Sequence, residues 1–248
     1  MNFSEAQIER YSRHILLQEI GGEGQEKICR AKVLVIGAGG LGAPVIYYLA
    51  AAGVGTIGVV DGDKVELSNL QRQILHFTSD VGTDKTLSAK EKIQLLNPDT
   101  RVETFHAYLT AGNARDILKN YDFVVECTDN FEAKYLVNDT CILLRKPFSI
   151  GGISRFEGQT LTVLSGTACY RCLYPEPPDP NNAPSCSRAG VLGAIAGMLG
   201  TIQATEVLKY ITGTGTLLTN RLLTFDAKRM AFLTLKLAPN SHCGCGHE

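Results

Sequence analysis

Two groups of residues in this chain have the types and spacing of reactive sites. The first begins with Gly37-Ala38-Gly39-Gly40-Leu41-Gly42. Glycines at this interval allow a tight turn and let phosphate approach backbone N–H groups at a helix N-terminus, where the helix dipole favours anions. Asp61 follows Gly42 at the spacing of about 20 residues that places an acid on a bound ribose. The glycine run alone is a weak signal and also serves as a purely structural turn. It is sharpened by Asp61 and Asp63, then Asn69, Arg72 and Gln73, then Lys85, then Asp129-Asn130. Loops at the carboxyl ends of strands in an open α/β sheet converge on one crevice. Two cations and a carboxylate there suit a triphosphate with its metal: Arg72 and Lys85 offset phosphate charge, and Asp129 can hold Mg²⁺. Singly, Arg72 and Lys85 also read as surface charges.

The second group is made of thiols. Cys169-Tyr170-Arg171-Cys172 and Cys243-Gly244-Cys245 stand far apart in the chain. Brought together, two thiolate pairs make a closed tetrahedral Zn²⁺ site that staples the tail to the body; reduced spare thiols are the alternative. The second pair is one residue short of Cys-x-x-Cys. His242-Cys243-Gly244-Cys245 restores that spacing, and His247 is also in reach, so Cys169, Cys172 and Cys245 are firmer ligands than the fourth. Cys186 stands apart, closing a proline-rich loop just before an apolar helix and near Arg188. A helix N-terminus and a neighbouring cation both favour thiolate, and a loop thiol without a role is the competing reading. Cys29, Cys127 and Cys141 read as small buried hydrophobes.

These residues need a frame, and the hydrophobic pattern supplies one. Residues 32–36, 56–60, 101–105 and 123–126 read as strands, alternating with helices over 43–52, from about 87 to Asn97-Pro98, over 111–119 and over 131–144. That alternation predicts βαβ units and a Rossmann-like, mostly parallel sheet with helices on both faces. Ser4 with Gln7 reads as a capping box opening a helix over 4–18, and Gly21, Gly22 and Gly24 as a turn. Past residue 150 the pattern changes. Strands over 148–153 and 158–164, a proline-rich crossing loop over 174–188, an apolar helix from Ala189 and strands over 221–226 and 230–237 predict antiparallel strands and a Cys-rich tail.

Composition narrows the function class. With 24 Lys+Arg against 25 Asp+Glu, the chain lacks the basic excess of a dedicated nucleic-acid binder, and no nucleic-acid partner is expected. Hydrophobic residues at 44% exclude wholesale disorder. The Ala189–Ala204 stretch is short of the roughly 20 apolar residues of a membrane span, and the start lacks a secretory apolar core. The cytoplasm is the expected compartment, which favours metal ligands or catalytic thiols over disulfides.

Residues 10–13 (RYSR), 37–42 (GAGGLG), 49–55 (LAAAGVG), 61–73 (DGDKVELSNLQRQ), 126–130 (ECTDN), 169–172 (CYRC) and 186–193 (CSRAGVLG) together resemble the ThiF/MoeB/HesA family of sulfur-carrier protein adenylyltransferases, relatives of the ubiquitin-activating enzymes. The resemblance runs over nearly the whole chain, and SNLQRQ with CTDN is far more specific than the glycine motif. It implies a single adenylation domain over 1–248: a helical segment 1–30, a nucleotide-binding half 31–150, and a carrier-binding and zinc half 151–248 with a mobile loop 174–188. It implies ATP with Mg²⁺, and adenylation of the C-terminal glycine of a small ubiquitin-fold carrier with release of pyrophosphate. Gly37, Gly39, Gly40 and Gly42 would form the nucleotide turn, and Asp61 would hold the ribose, with Asp63, Gln73 and Asn130 alongside. Asn69, Arg72 and Lys85 would contact phosphates, and Asp129 would ligate magnesium. Arg13 resembles an arginine that reaches a neighbouring subunit's site, which implies a homodimer; without the resemblance it is an ordinary helix charge.

The family usually carries two Cys-x-x-Cys pairs, which supports structural zinc at Cys169, Cys172, Cys243 and Cys245. The cysteine matching Cys186 joins covalent sulfur transfer in the thiamine branch and is dispensable in the molybdopterin branch. Arg188 departs from the acidic residue expected there. An end at residue 248 leaves no room for a rhodanese domain, so a separate sulfur donor, a rhodanese or cysteine desulfurase, is expected. Competing readings are a superfamily relative adenylating a carboxylate on tRNA, an NAD-dependent oxidoreductase and a non-catalytic scaffold. The pathway, whether thiamine, molybdopterin or another, is not legible.

Overall fold

A computed structural model of the chain describes residues 3–178, 190–240, 243 and 245. Five short strands form its parallel part: β1 (Lys32–Ile36), β2 (Thr56–Val60), β3 (Arg101–Phe105), β4 (Phe123–Glu126) and the first half of β5 (Phe148–Ser154). Three antiparallel pairings then add β6 (Glu157–Val163), β7 (Arg221–Asp226) and β8 (Ala231–Lys236). The single sheet runs β3-β2-β1-β4-β5-β6-β7-β8. This is the mixed, mostly parallel α/β sheet that the alternation of strands and helices predicts. β1 lies centrally, with Leu34 opposite Gly58 on one side and Val124 on the other.

Successive strand residues point to opposite faces, and the core divides accordingly. Val33 and Val35 pack with Ile57 and Val59 under α3 (Gly42–Ala52), α4 (Lys85–Leu96) and α8 (Gly193–Thr212). Leu34 and Ile36 face α5 (Ala114–Leu118), α6 (Phe131–Leu143) and α7 (Tyr170–Leu173) on the other side. Burial on both faces explains why the central strands read as unbroken apolar runs rather than alternating ones. Among the described residues, no helix is long and apolar enough to cross a membrane.

Helix α1 (Glu5–Ile15) opens as expected: the Gln7 backbone N–H donates to Ser4 Oγ at 3.2 Å and the Ser4 N–H to Gln7 Oε1 at 3.1 Å. It stops three residues short of the predicted end. The glycine-rich stretch after it is not a turn but the start of α2 (Gly21–Arg30). Tertiary packing overrides glycine's poor propensity there. Ile28 is fully buried, Gln25 donates to the Ala52 carbonyl at 2.8 Å, and a Cβ on Gly24 would meet Ile20 Cγ2 at 2.9 Å. Helix α4 begins at Lys85 rather than Leu87, α5 covers only part of the predicted 111–119, and the one-turn α7 carries the CYRC sequence. The expected start of α8 at Ala189 and most of the predicted mobile loop 174–188 lie outside the described residues.

Candidate active site

A cavity of about 730 Å³ opens beyond the carboxyl ends of β1, β2 and β4. Gly37, Gly39, Gly40, Asp61, Asp63, Asn69, Arg72, Gln73, Lys85, Asp129 and Asn130 all line it. Of the residues expected to hold a nucleotide, Gly42 alone does not, because it forms the underside of the turn. A Cβ there would sit 1.8 Å from the Gly37 carbonyl oxygen. Gly37 itself adopts φ +93°, a left-handed conformation that favours glycine. Its N–H donates to the Val60 carbonyl at 2.8 Å, so the turn starts one step beyond the β1–β2 ladder.

Asp61, Asp63, Lys85 and Arg72 are each held by a partner within the protein. Asp61, just past β2, accepts the Ala38 N–H on Oδ2 and the Asp63 N–H on Oδ1, both at 2.8 Å. Its carboxylate thereby fixes the glycine turn and keeps lone pairs free for further donors. Lys85, the first residue of α4, is only 5% exposed and reaches Asp63 Oδ2 at 2.8 Å. Burial alone would raise the Asp63 pKa. The Lys85 ammonium and the Tyr108 hydroxyl, 2.5 Å from Oδ1, reverse that and hold it below the ordinary carboxylate range. Lys85 therefore meets the cavity as half of an ion pair.

Arg72 is tied by Nη1 to the Ser68 carbonyl at 3.2 Å, and its stem runs beside Gly40. Its backbone is braced from α8, where a Cβ on Gly193 would come 2.3 Å from the Gln71 carbonyl oxygen. Gln73 is 4% exposed, and its buried Oε1 has no hydrogen-bond partner among the described residues. Asp129 stands exposed on the loop after β4, and Asn130 beside it caps α6 by accepting the Ala133 N–H at 3.3 Å. Among the described residues the Asp129 carboxylate has no hydrogen bond or ion pair.

Supporting residues that sequence reasoning passes over are all buried. His76 bridges Ser88 Oγ and the Ala38 carbonyl, each at 2.9 Å, and its burial lowers its pKa. Lys134 forms an ion pair with Glu126 under the Asp129 loop, and Gln203 of α8 donates to the Glu126 carbonyl at 3.1 Å. A polar residue in an otherwise apolar run, such as Glu126 closing Phe-Val-Val-Glu, is the one signal in the sequence that points to them. Arg13 is exposed on α1 and does not line the cavity. Cys186 lies outside the described residues.

The thiols assemble separately. Cys169 and Cys172 flank the turn of α7, and the Sγ atoms of Cys169, Cys172 and Cys243 lie within 4.8 Å of one another. Cys245 Sγ is within hydrogen-bonding reach of Cys169 and Cys243, and it accepts from Asn138 Nδ2 at 3.5 Å. Cys243 thus joins the first pair more closely than Cys245 does, the reverse of the order that the spacing predicts. His242 and His247 lie outside the described residues. The Cys169–Cys172 separation is 3.8 Å. A tetrahedron of sulfurs about 2.3 Å from a central Zn²⁺ has edges of about 3.8 Å, whereas a disulfide closes to about 2 Å.

Comparison with known proteins agrees with this geometry. The ThiF family model matches residues 11–246. The sulfur carrier protein adenylyltransferase of Thermus thermophilus is 46% identical, the match covering all of this chain and 94% of that protein. The SAMP-activating enzyme E1 of Haloferax volcanii is also 46% identical, over 99% of this chain and 92% of its own. Anopheles gambiae adenylyltransferase and sulfurtransferase MOCS3 is 51% identical over 94% of this chain, which spans only 53% of that protein. Among solved structures, E. coli MccB with ATP superposes with a TM-score of 0.83 at 24% identity, covering 95% of this chain and 74% of that one, a likeness of fold. With a match over nearly its whole length and relatives at this identity, the chain belongs to the ThiF family.

Proposed function

We propose that the chain is an ATP-dependent adenylyltransferase that activates the C-terminal glycine carboxylate of a small ubiquitin-fold sulfur-carrier protein. The observation that carries this is the cavity itself. Its lining brings together the glycine turn at the head of α3, Arg72, Lys85 and the Asp129 carboxylate, which has no hydrogen bond or ion pair among the described residues. A dinucleotide needs the first of these but not the rest.

The reaction joins two anions. A carboxylate oxygen attacks the α-phosphorus of ATP, the bond to the bridging oxygen breaks, and pyrophosphate leaves with its electron pair. No proton has to move, so charge neutralisation and positioning carry the catalysis. The N–H groups of the glycine turn and the α3 N-terminus take phosphate oxygens. Arg72 and Asn69 lie beside them, and Gln73 fits the same role with its amide against Gly39. Asp61 retains acceptor capacity for ribose hydroxyls. Lys85 has to divide its charge between Asp63 and the incoming phosphates. A hard, exposed, unpartnered carboxylate suits Mg²⁺, which would offset phosphate charge when bound at Asp129.

The Sγ separations among Cys169, Cys172 and Cys243 suit a structural Zn²⁺, with Cys245 as the expected fourth ligand, tying the end of the chain to α7. The whole chain forms one adenylation domain, with 31–150 contributing the nucleotide and 151–248 the carrier contacts. Arg13, remote from its own cavity, fits a role in the site of a second copy, hence a homodimer. Sulfur comes from a separate donor, and Cys186 is a candidate for its transfer. Cysteines arranged as metal ligands rather than as disulfides favour the cytoplasm as the compartment.

The test is Mg²⁺-dependent ATP–pyrophosphate exchange with separate thiamine-type and molybdopterin-type carriers ending in Gly-Gly. Exchange that needs a carrier supports the reading and names the pathway. Absence of exchange with intact ATP binding counts against it. Asp129→Ala should lower exchange at least a hundredfold with the fold unchanged; near-normal turnover removes Asp129 from the metal role.

A further inference from the structure

The Asp129 loop leaves the sheet abruptly, and the way it leaves is unusual. In the parallel β4–β5 ladder, the Val124 N–H donates to the Pro147 carbonyl at 3.0 Å. Paired residues end at Glu126 opposite Ile150. Continued at the same register, the next rungs would bring the Thr128 N–H to the Gly151 carbonyl. That rung is replaced. The Thr128 N–H turns instead to Glu126 Oε1 at 2.8 Å, and Lys134 Nζ supplies the donor to the Gly151 carbonyl at 2.5 Å. The same ammonium donates to Glu126 Oε2 at 2.5 Å and to the Thr128 carbonyl at 2.7 Å, so all three of its protons are placed. Thr128 Oγ1 also donates to Glu126 Oε1, and the Asn130 N–H lies 3.4 Å from that hydroxyl.

Both members are buried, Glu126 fully and Lys134 to 5% exposure. A well-packed apolar pair would fill the same space at no net loss of stability, because a buried ion pair recovers its own desolvation cost only in part. What an apolar pair lacks is direction. These bonds fix the backbone on both sides of Asp129 and turn it out of the sheet.

Building on the reading of Asp129 as the magnesium ligand, we propose that Glu126 and Lys134 are positioning residues for it. They substitute for a ladder rung, end β4 at Glu126, and hold residues 128–130 so that the Asp129 carboxylate projects into the cavity.

The test compares wild type with the double variant Glu126→Gln/Lys134→Met, which avoids stranding one buried charge, and with Lys134→Arg. The readouts are amide hydrogen exchange over residues 128–130, ATP binding without metal, and the Mg²⁺ concentration giving half-maximal pyrophosphate exchange. The double variant should keep metal-free ATP binding within about twofold. Exchange at 128–130 and the Mg²⁺ requirement should each rise about tenfold or more. Lys134→Arg should restore most of both. A folded double variant with wild-type amide protection and Mg²⁺ requirement overturns the proposal. Should that variant not fold, Thr128→Val removes the hydroxyl contact without touching a charge. It should shift the Mg²⁺ requirement the same way, and no shift overturns the proposal. Asp129→Asn is run alongside. If it leaves the Mg²⁺ requirement unchanged, the metal reading fails, while amide protection still decides whether Lys134 orders the loop.

Discussion

Substituting alanine at two glycines of one turn should produce opposite phenotypes. At Gly42 the new Cβ would stand 1.8 Å from the Gly37 carbonyl oxygen, and real Cβ contacts essentially never fall below 3.0 Å. The two backbones must therefore part by about 1.2 Å. Neither side can yield cheaply, since Gly37 is anchored to Val60 and Gly42 is the first residue of a buried helix. Overpacking of this kind costs about 1–3 kcal/mol, or roughly 2–10 °C in melting temperature for a chain of this size. At Gly39 the nearest atom to the new Cβ is Gln73 Nε2 at 3.6 Å, an ordinary contact. Gly39→Ala should melt within about 2 °C of wild type, since nothing is displaced. Its methyl group nevertheless projects where phosphate would approach, and ATP affinity should fall at least tenfold. Thermal melts and ATP titration of both variants check this. Equal melting temperatures for the two, or a Gly39→Ala protein that binds ATP normally, would refute the assignment of support to one glycine and contact to the other.

The remaining expectations concern the metal cluster, the buried ion pair and the unpaired amide. Purified protein should contain close to one Zn²⁺ per chain, and a strong chelator should lower its melting temperature by several degrees. A metal-free preparation of equal stability removes zinc from the fold. Burial works against ionised Asp80. Lys92 at 2.7 Å, the Phe77 N–H and the Ser88 hydroxyl outweigh it and depress its pKa, while Asp80 and Glu91 outweigh burial at Lys92 and raise that of the ammonium. A depressed carboxyl contributes stability that is complete above its unfolded pKa of about 3.9 and is lost as pH falls through the lower folded value. Asp80→Asn should thus be less stable by about 3 kcal/mol at pH 7, with the difference shrinking below about pH 4 in denaturant titrations. Gln73→Met should leave stability unchanged or slightly raised, because Gln73 Oε1 is buried and unpaired among the described residues, yet weaken ATP binding about tenfold.

Period and spacing carry most of the frame of this molecule. Apolar runs ending at Ile36, Val60 and Glu126 mark strands whose carboxyl ends have to converge, so the polar residues just beyond them point to one crevice. Gly21, Gly22 and Gly24 read wrongly as a turn because glycine's cost is local, whereas its compensation, the burial of Ile28 and Gln25, comes from packing against residues far away. The Asp63–Lys85 pair is also hidden. Each residue reads as part of the site, but nothing in their spacing says that they neutralise one another first. Lys134 looks like one more charge on an amphipathic helix. Only the place where β4 ends beside β5 shows that it replaces a backbone donor. For the thiols, the short Cys243–Cys245 spacing makes Cys245 read as the firmer ligand, whereas the sulfur found close to both Cys169 and Cys172 is that of Cys243.

The contact between Gly193 and the Gln71 carbonyl has a mechanical meaning. Just ahead of α8, the chain is clipped to the β5–β6 hairpin: the Arg155 N–H donates to the Gly190 carbonyl and the Leu192 N–H to the Arg155 carbonyl, both at 3.0 Å. One residue further on, Gly193 leans on backbone immediately before Arg72. The helix entrance therefore links the β5–β6 hairpin at one end to the backbone beside Arg72 at the other. Glycine is the only residue thin enough to let the two come this close. Any larger residue at position 193 would have to push the backbone that carries Arg72 away from the helix entrance.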